Sequence, residues 1–339
     1  MATTIHDVAR MAGVSIKTVS NVVNGHLNVR QETKQRVLDA IAALEYTPNL
    51  TARGLRSGRT GLITLIIPYL TNSYFAELAE VVMHAAEAEG LSVIIALSGA
   101  ERNRELGFLQ GPRAQMVDGI LFSPLALGEE DKDLLAKVAT PMVLLGERIL
   151  GGPTDLVTMR NIEGARAATQ HLLDQGRRRV VALGAEPGLA HGSADLRLVG
   201  YRQALEAAGI PFDPELVIDV VGWFRKSGSS AMQAFLERGV PFDGVVAFND
   251  LLALGAMPVI MDAGIRIPQD VAMIGYDDID ESKYSRPALS TVNPGREEIA
   301  EVAIRFLKQR IDAAGEGIPV REHLTNFRVV ERESSVLGR

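Results

Sequence analysis

A chain of 339 residues, 47% hydrophobic and 23% charged, has a globular composition and the length of about two domains. It has no cysteine, which excludes disulfides, thiolate metal sites and a cysteine nucleophile, and no run of ~18 apolar residues that would span a membrane. The net charge of −7 hides an asymmetry: up to Thr60, Arg10, Lys17, Arg30, Lys34, Arg36, Arg53, Arg56 and Arg59 outnumber Asp7, Glu32, Asp39 and Glu45, leaving +4 there and −11 in the remainder.

A basic head on an acidic body points to a polyanion partner for the head, or to a merely solvated basic surface. Ile5, Val8, Ala9 and Ala12 recur at helical spacing. Gly13 allows a tight turn, and the Ser15 hydroxyl is placed to cap a second helix. In that helix Val19, Val22 and Val23 share a face, while Lys17 and Asn21, flanked by Thr18 and Ser20, lie opposite. A third helix is expected over Glu32–Leu44, with Val37, Leu38, Ile41 and Leu44 inward. Three short helices, the first two joined by a glycine-containing turn, describe a helix-turn-helix. On periodicity alone, a helical cap packed on the body, with Lys17 and Asn21 solvated, stays open.

Beyond Thr60 short apolar runs alternate with helical patterns. Strands are expected at Leu62–Pro68, Ser92–Leu97, Gly119–Phe122, Met142–Leu145, Val180–Leu183, Leu216–Val221, Gly244–Phe248 and Val271–Tyr276. Helices are expected at Ala76–Glu89, Gly164–Gln175, Leu198–Ala208 and Ser229–Arg238, ending at Gly90, Gly176, Gly209 and Gly239. Such alternation implies an α/β fold with parallel sheets, helices on both faces and buried strands. Two lobes with a cleft at the carboxyl ends of the strands accommodate this many units; an eight-stranded barrel is the competing fold. Pro258, inside the pattern Asp250–Ala263, is expected to kink or end a helix. Arg177–Arg179 follows a helix end, where positive charge is favourable. The chain has no phosphate-cradling loop, no nucleophile elbow and no metal-like histidine pairing, so no catalytic residue, metal or cofactor is expected.

The stretches "TIHDVARMAGVSIKTVSNVVNG" and "TKQRVLDAIAALEYTPNLTARGLRSGRT" resemble the headpiece and hinge of the lactose/galactose-repressor (LacI/GalR) family. The resemblance continues in order through "NSYFAELAEVV", "VDGILFSP", "HLLDQGRRRVVALG", "RLVGYRQALEAAGI", "GVVAFNDLLALGAM", "IPQDVAMIGYDDID", "RPALSTVNP" and "VVERESS". It implies a helix-turn-helix headpiece over residues 1–47 and a hinge over 48–60. The body, 61–339, would be a two-lobed, periplasmic-binding-protein-like effector and dimerisation domain. Lobe 1 would hold about 61–161 and 293–320, and lobe 2 about 162–292 and 321–339.

The family's function would make this chain an effector-controlled repressor, a cytoplasmic homodimer on near-palindromic double-stranded operator DNA. No heptad tail is present to build a tetramer. By position in the motif, Ile16, Lys17 and Asn21 would face bases. Thr4, Ser15, Ser20, Asn24, Asn28 and Thr33 would hold phosphates. Ala52 and Leu55 would enter the minor groove, Leu55 as the wedge. Effector contacts would come from Asn72, Phe75, Glu147, Arg197, Trp223, Asn249 and Asp277, a set suited to a sugar. Arg160 stands where the family usually has Asp. Lining the cleft, it would favour a sugar phosphate or sugar acid; pairing with Glu147, it would be structural. A sugar-binding or transport protein without regulatory DNA binding is the alternative; it calls for a signal peptide and no headpiece.

Leu55→Ala is expected to lower affinity for specific operator DNA while leaving non-specific binding nearly intact. Titrations against operator and random DNA check this, and equal losses on both would refute the wedge role.

Overall fold

The computed structural model describes residues 3–23, 29–46, 59–186, 192–313 and 317–336, and the chain divides into two units, Met1–Gly61 and Leu62–Arg339. In the first unit, α1 spans Ile5–Ala12, α2 Ile16–Val23 and α3 Gln31–Ala43. Thr4 opens α1: its backbone N–H and hydroxyl donate to the Asp7 carboxylate at 3.0 and 2.7 Å. Gly13 ends it at φ 62°, the left-handed conformation that glycine adopts without strain. The Ser15 Oγ then accepts from the Thr18 N–H at 3.1 Å. Val8, Ala9, Ala12, Val19, Val22, Val37 and Ala40 form the core. Leu38, expected inward, is 42% exposed. In α3, Val37, Ala40, Ile41 and Leu44 hold the i, i+3, i+4, i+7 face, and Leu38 lies one residue off it.

In the second unit the chain runs β1 (Leu62–Ile67), α4 (Ser73–Ala88), β2 (Ser92–Leu97), α5 (Arg102–Gln110), β3 (Gly119–Phe122), β4 (Met142–Leu145), β5 (Asp155–Thr158) and α6 (Asn161–Asp174). It continues through β6 (Val180–Ala185), α7 (Ser193–Ala207), β7 (Val217–Asp219), α8 (Arg225–Glu237), β8 (Gly244–Ala247), α9 (Asp250–Asp262) and β9 (Ala272–Ile274). β10 (Thr291–Asn293), α10 (Arg296–Ala313), β11 (Glu322–Leu324) and β12 (Arg328–Val330) complete it, with one-turn helices at Lys132–Leu135 and Glu281–Tyr284. Two parallel sheets result, in the orders β11-β5-β4-β3-β1-β2 and β7-β6-β8-β9, with β10 and β12 as an antiparallel pair. They are open sheets of two lobes and not a closed barrel.

Each sheet is covered on both faces. Ile63, Leu65 and Ile67 of β1 pack toward α4 and α10, while Ile66 points to the opposite cluster with Phe122 and Leu144. In lobe 2, Val181 and Leu183 meet α8 and α9, and Val180 and Ala182 meet α6 and α7. Gly90, Gly176, Gly209 and Gly239 end their helices with φ of 71°, 87°, 66° and 67°. Arg178 donates to the Leu173 carbonyl at the end of α6 at 2.9 Å, placing positive charge at a helix end. Among the described residues no helix is long and apolar enough to cross a membrane.

Two features correct the sequence reading. Of the kink or end expected at Pro258, the end does not occur, and α9 runs through it. Its buried Leu251, Leu252, Ala256, Met257 and Ile260 each gain about 1.5–3 kcal/mol if large, against about 3 kcal/mol for an interior proline. β11 pairs with β5, Glu322 opposite Leu156, so residues 322–324 belong to the lobe-1 sheet and the last crossing into lobe 2 follows them.

α8 and α9 approach through glycines. A Cβ on Gly228 would lie 2.2 Å from the Leu252 carbonyl oxygen, and one on Gly255 would lie 2.0 Å from that of Arg225. This contact fixes the two helix starts, which carry Trp223 and Asn249 just before them. Gly255→Ala is therefore expected to destabilise by roughly 1–3 kcal/mol through overpacking, although helix propensity alone predicts a gain of about 1 kcal/mol. Urea unfolding measures the sign.

Candidate functional site

In the headpiece the exposed Lys17 projects from α2 away from the buried Val19 and Val22, and Asn21, half-buried, follows it by one turn. Ile16 is partly buried against the headpiece core, so its side chain serves packing as well as any surface role. Of the expected phosphate ligands, Thr4 already donates its hydroxyl to Asp7, and Ser15 Oγ and Thr18 Oγ1 share a hydrogen bond of 2.9 Å. Thr4 also holds the Asp7 carboxyl below the usual carboxylate range by hydrogen bonding. Ser20 and Thr33 are half-buried. Asn24, Asn28, Ala52 and Leu55 lie outside the described residues.

In the body, most of the expected effector residues follow the carboxyl end of a parallel strand. Asn72 follows β1, Glu147 follows β4, Trp223 follows β7, Asn249 follows β8 and Asp277 follows β9. Arg197 reaches them from α7 and is only 2% exposed. Its Nε donates to Asn161 Oδ1 at 2.8 Å, and its Nη1 donates to the Phe248 carbonyl and lies 3.7 Å from Asp277 Oδ1. The guanidinium stacks on the Tyr276 ring at 3.6 Å and faces Trp223 at 5.1 Å.

Glu147 accepts from Asn161 Nδ2 at 3.2 Å and from the Ser193 hydroxyl. Trp223 Nε1 donates to the Gly184 carbonyl at 3.1 Å. Asn249 caps α9, accepting from the Leu252 N–H at 2.8 Å and donating to the Trp223 carbonyl at 3.3 Å. Asn72 caps α4 through the Tyr74 N–H at 3.1 Å. Phe75 packs on the lobe-1 core and meets Tyr74 edge-on at 5.2 Å.

Arg160 departs from this cluster. Its side chain, 40% exposed, pairs with Glu163 one turn along its own helix at 3.6 Å, and Glu147 is held by Asn161 and Ser193 instead. The sequence reading missed Asn161, which joins Glu147 to Arg197, and the buried Tyr74 and Tyr276. Burial pushes both phenols up; the Asp277 charge adds to this for Tyr74, whereas Arg197 opposes it for Tyr276. Tyr74 sits between the named Asn72 and Phe75 within "NSYFAELAEVV", and Asn161 adjoins Arg160 in the chain.

Asp277 and Asp278 adopt φ of 111° and 52°, strained for non-glycine residues and located at the cluster. Burial pushes the Asp277 carboxyl up to about 7, against the pull of Arg197 and Arg296. Arg296 donates to the Asp277 carbonyl at 3.1 Å and pairs with Glu77 at 2.6 Å. The cluster sets Asp277 beside one guanidinium and links Glu147 to it through Asn161, while Arg197 Nη2 meets only the Met159 sulfur, at 3.6 Å, among the contacts of the described residues.

Residues 4–49 match the family model described as bacterial regulatory proteins, lacI family, and residues 169–335 match the periplasmic binding protein-like domain. The HTH-type transcriptional regulator RegA of Clostridium saccharobutylicum is 32% identical over 337 residues, covering 99% of this chain and 100% of the relative. A transcriptional regulator CelR–cellobiose complex is similar with a TM-score of 0.71 at 33% identity, over 98% of this chain and 100% of that one. The lac repressor dimer bound to operator and the anti-inducer ONPF is similar with a TM-score of 0.84 at 25% identity, over 99% and 100%.

The Asp277 shift makes stability depend on pH. Between 3.8 and about 7 the unfolded carboxyl is ionised while the folded one retains its proton, so stability falls as pH rises through that window. Asp277→Asn cannot titrate. The wild type is expected to lose stability relative to Asp277→Asn from pH 5 to pH 7, by up to about 1.4 kcal/mol per unit. Thermal unfolding across that range tests it, and a constant gap would contradict the assignment.

Proposed function

The chain belongs to the LacI family of bacterial DNA-binding transcriptional regulators, and from that membership we propose that it is an effector-controlled repressor acting as a dimer on a near-palindromic operator. The α2 helix is the reading element. Lys17 suits guanine acceptors and Asn21 suits adenine, since a lysine only donates and an asparagine both donates and accepts. The phosphate ligands, Thr4, Ser15, Ser20, Asn24, Asn28 and Thr33, set register, and Ala52 and Leu55 of the hinge bend the central step.

The observation that carries the effector reading is the buried Arg197–Asp277–Asn161–Glu147 cluster at the carboxyl ends of the strands. Its chemistry favours a neutral polyol. Hydroxyls donate to the two carboxyls, and the half-buried Trp223 offers an apolar face. A phosphate or carboxylate would meet the carboxyls of Glu147 and Asp277, and Arg160, the cation that would have favoured it, is turned to Glu163. The complex of the similar regulator CelR with cellobiose supports the neutral class. The sugar phosphate and sugar acid considered on sequence are thus the less favoured effectors.

Effector and operator must influence each other's affinity by the same factor. A gel shift on the promoter nearest its own gene, with and without sugars chosen by thermal shift, is the direct experiment. Neutral sugars are expected to raise the melting temperature and their phosphates not to. Lys17→Ala is expected to cost about 1–3 kcal/mol on the operator and far less on scrambled DNA. No retardation of any operator-containing fragment, or stabilisation by phosphorylated sugars alone, would overturn the respective halves of the reading.

A further inference from the structure

A set of contacts joins the lobes without using any residue of the effector cluster. The Ser73 hydroxyl, at the start of α4 in lobe 1, donates to Glu281 Oε1 at 2.5 Å. The same oxygen accepts from Arg225 Nη2, at the start of α8 in lobe 2, at 2.6 Å. Next to it, the Asp280 N–H donates to Glu77 Oε1 of α4 at 2.8 Å. Tyr69, after β1, meets Phe224 edge-on at 5.4 Å, and the Tyr69 hydroxyl donates to the Gly99 carbonyl at 2.9 Å. Beneath them Leu251 and Ile279 of lobe 2 are buried in the lobe-1 core.

We propose that Glu281 is a clasp that ties the two lobes together along this edge, by bonding Ser73 of lobe 1 while Arg225 of lobe 2 fixes its carboxylate. Burial alone would raise the Glu281 carboxyl, but the bonds from Ser73 and Arg225 outweigh it and keep the group below the usual carboxylate range. The charge needed by the clasp is therefore present under ordinary conditions. Any ligand that enters through an open cleft must first part these contacts, so the clasp lowers apparent affinity by the fraction of time the cleft is shut. The clasp depends neither on DNA binding nor on the identity of the effector.

Hydrogen exchange of the full chain, without DNA or sugar, reads this opening even when it is rare. The reporter is the Asp280 amide, bonded across the lobes to Glu77. Ser73→Ala and Glu281→Ala are each expected to speed its exchange by about two- to fivefold, the range of a half-exposed polar contact. The double variant is expected to be no faster than the faster single, because both remove one bond. The amides of β1 are expected to stay unchanged, and so is the Asp280 amide in Asp270→Asn, which breaks a remote surface pair with Arg266. Unchanged exchange at Asp280, additive effects in the double variant, or equal acceleration in β1 would overturn the clasp. If Glu281→Ala does not fold, Ser73→Ala still decides, since it removes one hydroxyl from a different lobe than the reporter.

Discussion

The body is organised around the cost of burying the guanidinium of Arg197. A charge taken from water is tolerated only when its donors find acceptors and an opposite charge lies near. Here the acceptors come from separate places in the chain: Asn161 at the start of α6, the Phe248 carbonyl after β8 and Asp277 after β9. The ring of Tyr276 covers the remaining face. Any shift of these elements relative to α7 would leave a donor unmatched, so the guanidinium fixes the ends of three elements at once. The left-handed Asp277 and Asp278 are held there too, their carbonyls bonded by Arg296.

The same desolvation that Arg197 compensates prepares the site for its proposed ligand. Asp277 sits where burial disfavours its charge, and hydroxyl donors would favour the ionised form. Glu147 is already held by two donors, Asn161 and Ser193, which orient it rather than neutralise it. The headpiece solves a smaller problem. Its core of valines and alanines uses one face of each helix, which leaves the Lys17 face of α2 unburied and available to a groove.

Much of this was legible in the chain before its structure. The strands buried on both faces read as continuous apolar runs, and the helix ends were marked by glycines whose positive φ explains their use. What escaped has a common cause. β5 and β10 to β12 carry polar residues such as Asp155, Asn293, Glu322 and Arg328, so no continuous apolar run marks them as it marks the equally short β3, β4 and β8. The helices α6, α7 and α8 begin three to five residues before their apolar patterns because their first turns carry the polar and small residues of the cleft, such as Asn161, Ser193 and Arg197. Pro258 obeyed burial in place of its local preference, and Leu38 lost its inward place to Ala40 by one residue of phase.

Sequence by itself determined the element order, the apolar faces of the helices and the separation of a basic head from an acidic body, and the family resemblance supplied most of the residues that meet at the cleft. The first three depend on local spacing and residue type, which the chain carries along its length. Only tertiary structure decided that Arg160 turns to Glu163, that Asn161 joins Glu147 to Arg197, that β11 returns to the first sheet, and that Glu281 bonds Ser73 across the lobes. Each of these is a choice among partners of similar chemistry. The choice is made by which side chains the packed sheets and helices bring within hydrogen-bond distance, over separations in the chain of up to 208 residues.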